Sequence, residues 1–120
     1  MALVSKDSFY GLAAGPKVHR LHLKAAGEDA FILEPTANVR DEFDIWINAA
    51  AGNNVGIRGA IAALVLCDES GKRLFTIEDA PRLGALPPAV LQPIFDLGAK
   101  LLAVTDKEQK ELEGNSDASR

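Results

Sequence analysis

His19, His22 and Cys67 are the side chains of this 120-residue chain best suited to hold a transition metal, and Cys67 is its single cysteine. Such chemistry needs company at fixed spacing. In "KVHRLHLK" the apolar residues alternate, so His19 and His22 fall on opposite faces of a strand, and no Cys-x-x-Cys or His-Glu-x-x-His pattern supports them. Cys67 closes the longest apolar run, 60–67, where a thiol behaves as a small inert core residue rather than a nucleophile. "GNNVGIRG" offers glycines ahead of a helix, as a phosphate cradle does. It lacks the Gly-Lys-Ser/Thr ending, and Gly52, Gly56 and Gly59 do not match the dinucleotide fingerprint, so close packing and a helix stop explain it. Glu69, Glu78 and Asp79 lie in a turn and at a helix start, where carboxylates are solvated or capping, with no nucleophile beside them. The expectation is a protein with no catalytic, cofactor-binding or metal-binding residues, and therefore not an enzyme.

The elements that position these residues follow from periodicity. Residues 1–16, with Gly11, Gly15 and Pro16, predict an irregular arm. The alternation in 17–24, the turn "AAGEDA" and the resumption at Phe31, Ile32 and Leu33 before Pro35 predict a hairpin over about 17–34. Thr36 is placed to cap a helix whose apolar stripe is Val39, Phe43, Trp46, Ile47 and Ala50, with Arg40, Asp41, Glu42 and Asp44 on the wet side and "AGNN" as its stop. "VGIRGAIAALVLC" is apolar almost all round and predicts the most buried element. A buried strand competes, but the alanines at 60, 62 and 63 favour helix.

"DESGKR" then reads as a polar turn centred on Gly71, anchored on the body by Leu74 and Phe75. "TIED" matches a capping box, and Pro81 limits the helix it opens to a turn or two. "GALPP" restarts the chain into a helix running to about Ala103, lined by Val90, Leu91, Ile94, Phe95, Leu101 and Leu102, with Pro93 near its start and Gly98 inside it. Thr105 and Glu108 predict a last, acidic helix ending at Gly114, with Leu112 its only large apolar residue, and 115–120 a disordered tail. The fold class expected is mainly α (α+β): an N-terminal β-hairpin followed by a bundle of four to five short helices, in one domain over 17–114. Leu101, Leu102 and Leu112 can offer a surface to a partner helix.

Bulk properties agree with one soluble domain. Hydrophobic residues make up 48% and charged residues 25%, which is ordinary globular usage. A net charge of -4 argues against sequence-independent binding to nucleic acid. No apolar run approaches the roughly 20 residues of a membrane span, and Lys6 with Asp7 interrupts any secretory leader. A lone cysteine forms no internal disulfide, which fits a reducing compartment.

The order of features from about residue 30 to 114 resembles the tail assembly chaperones of long-tailed bacteriophages and prophages. The matching runs are the acidic turn with Gly-Lys-Arg-Leu-Phe at 68–75, the Thr-led acidic helix start at 76–79, the Leu-Pro helix opening at 86–95 and the ending at 104–112. Pro81 and Pro93 depart from the family's usual helix formers. The resemblance implies a cytoplasmic protein of the infected host that binds the tape measure protein, recruits tail tube subunits, self-associates and is absent from the mature virion. It carries no cofactor. It also implies contact surfaces, for which the candidates are Trp46, Leu74, Phe75, Leu101, Leu102 and Leu112. The competing readings are a phage structural component, such as a head-tail connector or tail tube protein, and a small ligand-binding domain or enzyme using His19, His22 or Cys67.

Overall fold

The computed structural model describes residues 5–11 and 15–103, apart from the Phe9 side chain. The acidic helix expected at 105–114, the tail at 115–120 and Leu112 lie outside the described residues. The architecture is α+β, a three-stranded antiparallel sheet joined to a set of short helices over one apolar core.

The expected irregular arm contains a short helix, α1 (Lys6–Gly11). Its start is fixed by a reciprocal pair: the Ser8 amide donates to Ser5 Oγ at 3.1 Å and the Ser5 amide to Ser8 Oγ at 2.8 Å. That is a capping box with Ser in the third position, a signal present in "SKDS". The hairpin forms where the alternation put it, as β1 (Val18–Leu23) and β2 (Glu28–Leu33), with Val18 opposite Leu33 and Leu23 opposite Glu28. Leu21 and Leu23 turn to the core, and Arg20 and His22 to solvent. The ladder extends one residue further, through the Glu34 amide on the Lys17 carbonyl at 2.9 Å, and Pro35, which has no N–H, ends it.

α2 (Ala37–Ala50) is capped as expected, the Val39 amide donating to Thr36 Oγ1 at 3.3 Å. Its charged side is not simply wet. The Arg40 guanidinium donates to the Leu102 carbonyl 62 residues on, and Glu42 accepts from Arg73 Nη1 at 2.7 Å, so α2 is tied to two other parts of the fold. The helix ends with Ala51 in the left-handed region at φ 52°.

α3 (Ile57–Val65) is the central element: Ile57 and residues 59–65 are all buried, as its all-round apolar sequence predicts. Its neighbours come close because two glycines allow it. A Cβ on Gly59 would lie 2.2 Å from the Ala80 carbonyl oxygen, and one on Gly98 would lie 2.6 Å from Ile61 Cγ2. The helix does not extend to Cys67. Leu66 turns extended (φ -69°, ψ 127°), and β3 (Leu66–Cys67) adds a third strand, pairing Cys67 with Phe31 and Leu66 with Ile32. For these last two residues the competing strand reading is correct, because the open edge of β2 supplies hydrogen bonds that a helix end would lack.

The turn after β3 is built around one carboxylate. Asp68 Oδ1 accepts from the Ser70 amide (2.9 Å), the Ser70 hydroxyl (2.6 Å) and the Lys72 amide (2.9 Å), and Gly71 takes the left-handed conformation at φ 90°. The chain folds back so that Arg73 bridges Cys67 and the Leu74 amide reaches the Leu66 carbonyl at 3.1 Å. A 3-10 turn (Ile77–Asp79) leads directly into α4 (Ala80–Leu83), and the Asp79 carboxylate accepts from the Thr76 amide at 2.9 Å, completing its side of the expected box. α5 (Pro88–Leu102) packs on α3 and buries Leu91, Ile94, Phe95, Gly98, Ala99 and Leu102. Pro93 lies inside α5, beyond its first turn, so the bond to the Ala89 carbonyl is missing there.

Candidate partner-binding groove

Of the residues with chemical potential, His22 and Cys67 make structural contacts. His22 Nδ1 lies 2.6 Å from Asp29 Oδ1, and Arg20 Nε donates to Asp29 Oδ2 at 2.7 Å, so this exposed cluster closes on itself across the hairpin. The His22 contact, followed by that of Arg20, holds the Asp29 carboxyl below its ordinary range. His19 faces a different carboxylate, Glu34, at 3.5 Å. Among the described residues no group of three or more His, Cys, Asp or Glu side chains is placed to hold a metal ion. Cys67 is buried, its thiol 3.4 Å from the Phe31 carbonyl, and burial together with the neighbouring Asp68 charge pushes its pKa up. A thiol kept protonated is a poor nucleophile. Glu78 and Asp79 stand at the 3-10 turn, as caps do.

Among the described residues a concave surface lies elsewhere, over the amino-terminal end of α3. Trp46, Val55, Gly56, Ile77, Glu78, Ala80, Pro81 and Gly84 line a hollow of about 590 Å³. It shares Gly56 and Gly84 with a second hollow of about 380 Å³, which continues past Arg58 and Leu86 to Pro88, Leu91 and Gln92. At the other end it shares Trp46 and Val55 with a third, reaching Ala49, Ala50 and Asn53. The three form one elongated, mainly apolar trough, crossing from the end of α2 over α3 and α4 to the start of α5. Val55 is 83% exposed and Leu86 42% exposed on its walls. Two apolar side chains left in water beside an open trough mark a surface suited to binding another apolar surface.

Of the described residues expected to touch a partner, Trp46 alone lines the trough, and Leu112 lies outside the described residues. Leu74 is 57% exposed and away from it, whereas Phe75 packs against the core, so the expected anchor is Phe75 without Leu74. The reason is the backbone pairing at 73–74, which makes successive side chains alternate in direction. Leu102 is buried at 3% exposure and belongs to the core, and Leu101 is partly buried beside it. Both lie ten or more residues along α5 from Leu91, roughly 15 Å at the helical rise, so they form no common surface with the trough. Val55, Ile77, Pro81, Leu86 and Arg58 are trough residues that sequence patterns did not single out as partner contacts. Val55 opens the run "VGIRGAIAALVLC" expected to be the most buried element, yet it is exposed, because α3 begins only at Ile57 and Val55 precedes it.

Comparison with protein-family models, with curated proteins and with solved structures found no match to this chain. Among the described residues no helix is long and apolar enough to cross a membrane.

Proposed function

We propose that this chain is a phage tail assembly chaperone, binding the tape measure protein and recruiting tail tube subunits while the tail is built. The reading is supported by the residue pattern of 30–114 and by one structural observation, the elongated apolar trough with Trp46, Val55, Ile77 and Leu86 on its walls. A tape measure protein is a long helical chain with apolar stripes that aggregate unless covered. A trough of this kind accepts such a stripe as a helix-binding groove does. Each contact buries little area, and at about 25 cal/mol per Å² each site is weak. Many copies along one long chain hold it by avidity, strengthened by contacts between copies. The protein acts in the host cytoplasm and leaves before the virion is complete.

Co-expression with the tape measure protein of the same genome tests the reading. The expected outcome is a soluble complex only when this chain is present; an equally insoluble tape measure protein with and without it rejects the proposal. Mass spectrometry of purified virions separates the chaperone from a connector or tube subunit, since only the latter persists in the particle.

A further inference from the structure

Arg58 stands apart from the other partly buried cations. Arg40 and Arg73 pair with carboxylates on the protein itself, whereas Arg58 pairs with none among the described residues. Its guanidinium is nonetheless held in place. Nε donates to Gln92 Oε1 at 2.7 Å, Gln92 is itself fixed by donating Nε2 to Asp96 Oδ1 at 2.8 Å, and the guanidinium carbon lies 5.3 Å over the Phe95 ring. One of five N–H donors is thereby used. The residue so oriented lines the α5 end of the trough, beside Gly59, Gly84 and Leu86. A pre-oriented, partly desolvated guanidinium binds a carboxylate more strongly than a mobile surface lysine does, because little freedom is lost on pairing.

From this geometry we infer that the trough takes an acidic amphipathic helix, whose apolar stripe lies along Trp46, Val55 and Ile77 while a carboxylate at its flank pairs with Arg58. The succession of hollows from Asn53 to Gln92 suits an elongated ligand and its mainly apolar walls an apolar stripe; Glu78 lines the central hollow, so the ligand's negative charge is placed at the α5 end, where Arg58 stands. This rests on the proposed function in taking the helix to come from the tape measure protein, but the charge rule stands or falls without that source.

Trp46 is the only tryptophan and lines the trough, so its emission reports occupancy directly. The test uses two synthetic amphipathic helical peptides with the same Leu/Ala stripe, one with Glu beside the stripe and the other with Gln. The Glu peptide is expected to shift Trp46 emission with about tenfold tighter binding at low salt, a preference that falls as salt rises and is absent in Arg58→Gln. Equal binding of the two peptides, binding of neither, or a preference that survives Arg58→Gln overturns the inference. The peptide pair leaves the protein unaltered, so a folding defect in the variant does not decide the result. A second arm repeats the tape measure co-expression with Arg58→Gln. If the wild type solubilises its partner and the variant does so equally, the inference falls and the chaperone reading stands. If the wild type does not solubilise it but the Glu peptide is still preferred, the chaperone reading falls and the inference stands.

Discussion

Within the described helices, Gly59 and Gly98 are the residues at which packing is most sensitive to a single methyl group. Alanine gains about 1 kcal/mol of helix propensity over glycine, so each substitution begins with an advantage. At Gly59 the added Cβ would meet backbone atoms, the Ala80 oxygen at 2.2 Å and the Gly84 nitrogen at 2.8 Å, which cannot rotate away. Overpacking there outweighs the propensity gain, and Gly59→Ala is expected to lose about 2 kcal/mol in urea unfolding. At Gly98 the obstacles are the Ile61 and Val65 side chains, which can shift, so Gly98→Ala loses less. A Gly59→Ala protein at least as stable as the wild type contradicts this account. Asp68 gives a pH prediction. Its hydrogen bonds from the Ser70 hydroxyl and the Lys72 amide lower the carboxyl below its ordinary 3.8. A lowered folded pKa adds stability that is fully present above that ordinary value and is lost as the pH falls through the folded one. The stability gap between wild type and Asp68→Ala is therefore constant from neutral pH down to about pH 5 and closes as the solution is acidified further.

At the scale of elements, the boundaries that local chemistry sets were legible in sequence. Thr36, the Asp79 side of "TIED" and Pro35 act where their types and spacing put them, and the all-round apolar run 57–65 is the buried helix. What escaped depends on distant pairing. Leu66 and Cys67 become a strand because β2, far earlier in the chain, has an open edge at Phe31 and Ile32. The trough escaped for the same reason, being assembled from the ends of α2 and α5 and the chain between them. The end of α2 also carries a correctable strain. Ala51 is the only non-glycine with positive φ among the described residues, at 52°, a conformation that disfavours a Cβ by about 1 kcal/mol or more. Ala51→Gly relieves it, partly offset by the greater freedom of glycine in the unfolded chain, and is expected to stabilise the protein by about 0.5 kcal/mol. A lowered thermal midpoint contradicts the assignment of strain.

At the scale of the whole molecule, the proposed binding surface overlaps the core at Ala80 and Leu91 but is separate from it at Val55 and Leu86. The core runs from Leu23 and Ile32 through α3 to Phe95 and Leu102, whereas the trough walls, Val55 and Leu86, contribute little to it. Val55→Asp is accordingly expected to leave unfolding stability within about 0.5 kcal/mol of wild type. The same change places a charge in the trough and is expected to abolish solubilisation of the tape measure protein in co-expression. Unchanged solubilisation by a folded Val55→Asp protein removes the trough from the binding surface.

The burial of Cys67 against β2 gives this fold a built-in clock. A thiol-reactive reagent reaches the sulfur only when β3 lifts from β2, so in dilute denaturant the modification rate counts openings of that strand. With no second cysteine to confuse the signal, mass spectrometry of the whole chain reads one added label per molecule that has opened. If β3 detaches only with global unfolding, the labelling free energy equals that from urea titration; a smaller value dates the sheet's opening ahead of the helices.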